Sequence, residues 1–260
     1  MPESAGGQRP DFFHRRRLEW TYSFDMPLSL GRMNATIERR MLINYRVDPA
    51  LAQTWLPDGF RVQVVDGVAI AGICMIRLAR MAPVGVPTVL GWGGENAAER
   101  VAVEWTSSDG TPSRGVFITR RFSASRTAVA LGGRLFPGVH TKAAIASDES
   151  PERIALRMTT PTDTVDADVR LSTTLSNSVL GSIDEASEFF RAGSTGWSPA
   201  SKKGDLDGLR LDTDAWRVEP TTPVSVRASL FDNLPSGSAE LDSVLVMRDV
   251  PAVWNPVRTR

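Results

Sequence analysis

The run Arg40-Met41-Leu42-Ile43-Asn44-Tyr45-Arg46-Val47-Asp48-Pro49 decides the fold class. Arg40 to Val47 is rich in β-formers and predicts a strand. Asp48 and Pro49 supply a helix cap and a first helical position, so a short helix follows over 50–56 and stops at Pro57. Asp58-Gly59 turns the chain, 60–65 reads as a strand, and Asp66-Gly67 is a hairpin signal. Val68 to Leu78 is mostly apolar, as in a strand buried on both faces, and Arg77 and Arg80 mark its end.

The same alternation continues outward. Strands are predicted over 100–105, 115–121, 154–158, 165–171, 216–218, 224–230 and 241–247. One further helix is marked by Ser182, with Glu185 three residues on in the capping-box position, and Gly193 ends it. The glycines and prolines of 82–94 predict a long loop, and 193–209 reads as a polar loop. Many short strands with few helices predict a mainly β (α+β) fold, a largely antiparallel β-sandwich or barrel-like cone with small peripheral helices. Residues 1–17 read as a flexible tail that includes His14, and 18–260 as a single domain.

Composition removes several chemistries. The chain has 260 residues with 30 basic and 30 acidic side chains, so its formal charge is zero and it lacks the field of a general nucleic-acid binder. One Cys (Cys74) excludes an internal disulfide. With two His (His14 and His140), a Cys/His zinc site cannot be built within one chain, and no metal or other cofactor is expected. No apolar run reaches the ~18 residues that span a bilayer, and no signal sequence is recognisable, so a cytoplasmic location without membrane partners is expected. Seven Trp and an exposed strand edge would allow a homo-oligomer. Only three of the 30 basic residues are Lys: Lys142, Lys202 and Lys203. P-loop, nucleophile-elbow and dinucleotide-binding motifs are missing.

Two segments carry candidate chemistry. In Glu95-Asn96-Ala97-Ala98-Glu99-Arg100, carboxylates stand beside a strand, where acid/base groups are often found. A solvated turn paired to Arg is the alternative reading. In Gly133-Arg134-Leu135-Phe136-Pro137-Gly138-Val139-His140-Thr141-Lys142, His140 and Lys142 fall on the same side of an extended chain. These make His140, Lys142 and Glu99 the candidate catalytic residues. Arg40, Arg121 and Arg134, with Glu95 and Asn96, are the candidate substrate-binding residues, since inward Arg forks suit a carboxylate or phosphate. Most of the other arginines read as surface charges.

The order of Leu42-Ile43-Asn44-Tyr45-Arg46-Val47-Asp48-Pro49, Leu56-Pro57, Asp66-Gly67, Glu95-Asn96-Ala97-Ala98-Glu99-Arg100, Gly132 to Gly138, Phe189-Phe190-Arg191-Ala192-Gly193, Gly196-Trp197-Ser198-Pro199 and Ala239-Glu240-Leu241-Asp242-Ser243 resembles the acetoacetate-decarboxylase-like superfamily. It is closest to that superfamily's uncharacterised bacterial YqjF-like branch. The resemblance implies a mostly apolar internal cavity for a small-molecule ligand or substrate. It implies either an acid/base or Schiff-base enzyme acting on a small keto acid or related carbonyl compound, or a non-catalytic protein that binds a ligand in the same cavity. The decarboxylases form the Schiff base on one Lys of an adjacent pair, the second lowering the pKa of the first. Here the corresponding stretch is Val139-His140-Thr141-Lys142, and the only Lys-Lys is Lys202-Lys203, far along the chain. The pocket acid of the family maps onto Glu99, and its basic residue falls near Glu38, with Arg39 and Arg40 beside it. Paired-lysine decarboxylation is therefore not expected.

Overall fold

The computed structural model describes residues 31–131 and 138–257. The candidate Arg134, the tail over 1–17 and His14 lie outside them. The described strands are β1 (Met33–Val47), β2 (Arg61–Val62), β3 (Val64–Val65), β4 (Val68–Pro83), β5 (Trp92–Thr106), β6 (Pro112–Ser123), β7 (His140–Lys142), β8 (Ala144–Glu149), β9 (Arg153–Thr159), β10 (Thr164–Leu171), β11 (Thr195–Pro199), β12 (Leu206–Asp212), β13 (Glu219–Ala228) and β14 (Ala239–Val257). The helices are α1 (Pro49–Gln53), α2 (Arg126–Leu131), α3 (Ile183–Ala192) and α4 (Ser229–Asp232).

The caps act as the sequence predicts. The Asp48 carboxylate accepts from the Leu51 N–H at 2.9 Å, and Ser182 and Glu185 close a reciprocal capping box on α3. The helix after Asp48 is shorter than expected, ending at Gln53.

The strands pair in the order β1-β4-β5-β6-β11-β12-β14, and β14 pairs again with β1, so these pairings form a closed circuit. A second run, β13-β10-β9-β8, continues from β14. Most pairings are antiparallel, but β6 pairs in parallel with both β7 and β11, which makes the sheet mixed.

Three expectations are corrected by this pairing. The loop at 82–94 is shorter, because β4 runs to Pro83 and β5 begins at Trp92. The segment 193–209 holds β11 and most of β12, drawn into strands because Trp197 is buried and their backbones complete the circuit. Trp216 to Val218 lies outside any strand, and β13 begins at Glu219.

Alternation along the strands separates two interiors. Met41, Ile43 and Tyr45 of β1, Ile73 and Met75 of β4, and Val101 and Val103 of β5 face one core, shared with Ile154, Leu156 and Met158 of β9 and Val165 and Ala167 of β10. Leu42, Ile70, Cys74 and Ala102 face the opposite way, with Phe190 of α3 and Leu211 of β12. This second face looks into the circuit.

Candidate functional site

The inner face of the circuit encloses a cavity of about 540 Å³. Every strand of the circuit contributes to its wall, and β7 adds His140. Most of the wall is apolar: Met33, Ile76, Leu78, Val116, Ile118, Leu209, Leu211 and Trp254. Against it stand three guanidinium-bearing residues, Arg40, Arg100 and Arg121, together with Asn96, His140 and Cys74. Among the described residues of the lining there is no Asp, Glu or Lys.

The arginines reach this face for different reasons. Arg40 follows the alternation of β1, and its Nε donates to the Cys74 sulfur at 3.2 Å. Arg100 sits in the row Asn44–Gly72–Arg100 across β1, β4 and β5. Gly72 has no side chain to block the row, so Arg100 reaches across it and donates to the Asn44 amide oxygen at 2.5 Å. Arg100 is 2% exposed, stacks over Phe190 at 4.9 Å, and leaves its Nε and Nη1 without hydrogen-bond partners among the described residues. Arg121 is turned inward by a bulge. Glu99 pairs with Arg120 but Arg100 pairs with Ile118, so Thr119 is an extra residue in β6. The bulge puts Ile118 and Arg121 on the cavity side although their numbers differ in parity. Arg121 Nε donates to the Ser198 hydroxyl at 3.2 Å, and its Nη2 has no partner among the described residues. Gly138, at φ +77°, lets the backbone pass Arg121, since a Cβ there would lie 2.5 Å from Arg121 Nε.

The electrostatics follow from this burial. Burial pulls Arg100 down to about 10, with Arg40 acting in the same direction and Cys74 against it. Burial also pulls Arg121 down to about 10, opposed by Asp207 and Cys74. Both guanidiniums stay charged at neutral pH. Burial holds Asp207 above the usual carboxylate range; the Gly138 N–H donates to it at 2.7 Å.

His140 pairs in register with Arg121 and so shares its face. Its Nδ1 lies 3.0 Å from the Gly138 carbonyl, which can only accept, so Nδ1 carries the proton and Nε2 is left as a base. Burial and then Arg121 push its pKa down to about 4, against the help of that carbonyl. The fold therefore accepts the neutral ring. Its contribution is complete above the ordinary value of 6.5 and is lost as pH falls toward 4. A shift of this size is worth ~3 kcal/mol. Urea unfolding at pH 7 and pH 4.5 should show a stability loss that is markedly smaller in His140→Gln.

The remaining candidates lie elsewhere. Along β5, Asn96, Ala98 and Arg100 face the cavity, so Glu95 and Glu99 face the other core. There Glu99 accepts from Arg120 at 2.8 Å, and Arg120 also binds Asp163 at 2.9 Å. Glu95 is paired with the fully buried Arg39, which also meets Glu149 at 3.1 Å. Lys142 pairs with Ser123, two rows beyond the His140–Arg121 pair, and is exposed. Its ammonium donates to the carbonyls of Ala124 at 2.8 Å and Ala143 at 3.0 Å, and it is not part of the lining. Lys202 and Lys203 lie between β11 and β12, where Lys202 meets Asp205 at 3.7 Å. Sequence reasoning did not select Arg100 or Cys74. The available signal was a charged residue heading the apolar alternation Val101-Ala102-Val103, but the strand to its left had to be aligned before Gly72 could be seen opposite it.

Solved structures with this fold include an acetoacetate decarboxylase from Legionella pneumophila, at TM-score 0.61 and 14% identity, covering 98% of both chains. An acetoacetate decarboxylase-like enzyme from Sphingomonas wittichii matches at TM-score 0.59 and 13% identity, over 89% of this chain and 94% of that one. The enduracididine biosynthesis enzyme MppR, complexed with pyruvate, matches at TM-score 0.51 and 13% identity, over 88% of each chain. A comparison with curated protein sequences finds no match. A family model described as DUF2071, uncharacterized conserved protein, matches residues 34–246. The chain thus belongs to the DUF2071 family, whose fold is that of the acetoacetate-decarboxylase-like proteins.

Proposed function

We propose that the cavity binds a small organic carboxylate with an apolar body, of the keto-acid class. The observation that carries this is the pair of inward-turned guanidiniums of the buried Arg100 and the partly buried Arg121, whose buried N–H groups lack partners among the described residues, with no carboxylate in the described lining. A buried donor without an acceptor is costly, and an entering carboxylate relieves that cost while its apolar part meets Ile76, Ile118 and Leu211. The Legionella and MppR structures add support as relatives in fold, the latter holding pyruvate. Within this reading Arg100 and Arg121 hold the carboxylate, and Arg40 and Asn96 stand at the same wall. Where the ligand has an acidic C–H or a carbonyl, Nε2 of His140 is the base available to it.

An imine mechanism has less behind it, because the Lys142 ammonium is engaged by two carbonyls outside the lining. Two measurements test the proposal. A thermal-shift panel of keto acids and other small carboxylates should raise the melting temperature, and the matching amides should not. Borohydride added to the protein with the same keto acids should leave its mass unchanged. Equal effects of acids and amides would overturn the carboxylate reading. A reduced adduct on Lys142 would restore the imine.

A further inference from the structure

We infer that Cys74 is a covalent attachment point for small electrophilic carboxylates that enter the cavity. The inference rests on the carboxylate reading above and goes beyond it to a specific bond. Cys74 is the chain's only cysteine, and although 6% exposed it forms part of the cavity wall. It stands in the row Cys74–Ala98–Arg121 across β4, β5 and β6. Ala98 offers only a methyl group, so no large side chain separates the sulfur from Arg121 along that row. On its other side Arg40 Nε points at the sulfur from 3.2 Å. Arg100, next but one to Ala98 on β5, is almost fully buried and keeps two nitrogens unpartnered among the described residues. A carboxylate drawn to these N–H groups carries its neighbouring carbons toward the sulfur, which is the positional advantage that speeds a covalent step.

The class that fits is a short carboxylate with an electrophilic carbon beside the acid group. With an α,β-unsaturated acid, the sulfur forms a bond to the β-carbon and the C=C π pair shifts toward the α-carbon. The thiol's proton ends on that α-carbon, so no other reactant is needed. With an α-halo acid, the S–C bond forms as the carbon–halogen bond breaks. Halide leaves with the bonding pair and the proton passes to buffer.

The single cysteine makes the test direct, because each S-carboxymethyl mass increment reports on one sulfur. Rates of modification by iodoacetate and by iodoacetamide are measured on the full chain at one pH, so the thiolate fraction cancels in their ratio. The same ratio is taken for 2-mercaptoethanol. The ratio of acid to amide rates at Cys74 should exceed that of the free thiol by about tenfold or more, a steering effect that high salt reduces. Arg40→Gln should lower it, and Cys74→Ser should give no adduct. A ratio at or below the free-thiol value, or no modification by either reagent, overturns the inference. The wild-type measurement decides this even if Arg40→Gln fails to fold. The carboxylate panel run on Cys74→Ser separates the two claims. Stabilisation there with no rate preference in the wild type removes only the covalent site, and absence of stabilisation in both proteins removes the cavity reading itself.

Discussion

Gly72→Ala is expected to destabilise the fold by about 3 kcal/mol, near the upper end of ordinary overpacking. A Cβ at Gly72 would lie 2.0 Å from the Ile43 carbonyl oxygen and 3.1 Å from the Asn44 Cα. Both are main-chain atoms of β1, which is held on one side by β4 and on the other by β14. They cannot rotate away as a side-chain tip would, so β1 and β4 must move apart. The same methyl intrudes on the path of Arg100 to Asn44, and that charged donor would lose its partner. Urea midpoints with unchanged m-values measure the effect. Gly94→Ala is the control: no atom lies within 4 Å of its added Cβ, and its midpoint should stay within about 0.5 kcal/mol of the parent. Equal midpoints for both variants would show that β1 and β4 have more room than their register implies.

Arg121→Met should separate stability from binding. Without ligand, the wild-type Arg121 is a largely desolvated charge with one hydrogen bond, to Ser198, and one unpartnered nitrogen among the described residues. Exchanging it for an apolar side chain of similar length removes a desolvated charge, so unfolding free energy should hold or rise by about 1 kcal/mol. Affinity for a small carboxylate should fall by about 10–100-fold, the value of one hydrogen bond to a charged group. Titration calorimetry with the best carboxylate from the panel, set beside urea unfolding, reads both quantities. Arg100→Met is the less clean comparison, because it also strips the Asn44 oxygen of its donor and adds about 1–3 kcal/mol of destabilisation. If Arg121→Met binds as tightly as the parent, the carboxylate is not held there.

Parts of this site are legible in the sequence. Residue type and segment mark Arg40 and Arg121 as inward arginine forks and Asn96 and His140 as members of segments that follow glycine-rich stretches, and the structure brings all four to one cavity. Glu95 and Glu99 stand with Asn96 in one sequence cluster, yet period-two alternation in a continuous strand sends both carboxylates to the face opposite Asn96. That division requires β5 to begin at Trp92 rather than at Arg100, so that the cluster lies inside the strand. Arg121 could not be oriented by alternation, since the bulge at Thr119 resets the parity of β6 and is defined only by pairing with β5. Lys142 shows the opposite limit. It shares a side with His140 by spacing, but β7 is short, and where its amine ends depends on the carbonyls of Ala124 and Ala143.

By itself, the sequence determined the mainly β class, the capped helices after Asp48 and Ser182, and the lack of a lysine pair beside His140. These depend on propensity, side-chain alternation and residue identity, which act over a few neighbouring positions. Tertiary structure alone decided that seven strands close around a cavity, that Gly72 opens a path for Arg100, and that Arg121 turns inward. Those outcomes depend on hydrogen-bond register between strands far apart in the chain, as where β6 meets β11 and β1 meets β14. Alternation gives every strand two faces; only the pairing of distant strands chooses which face encloses the cavity.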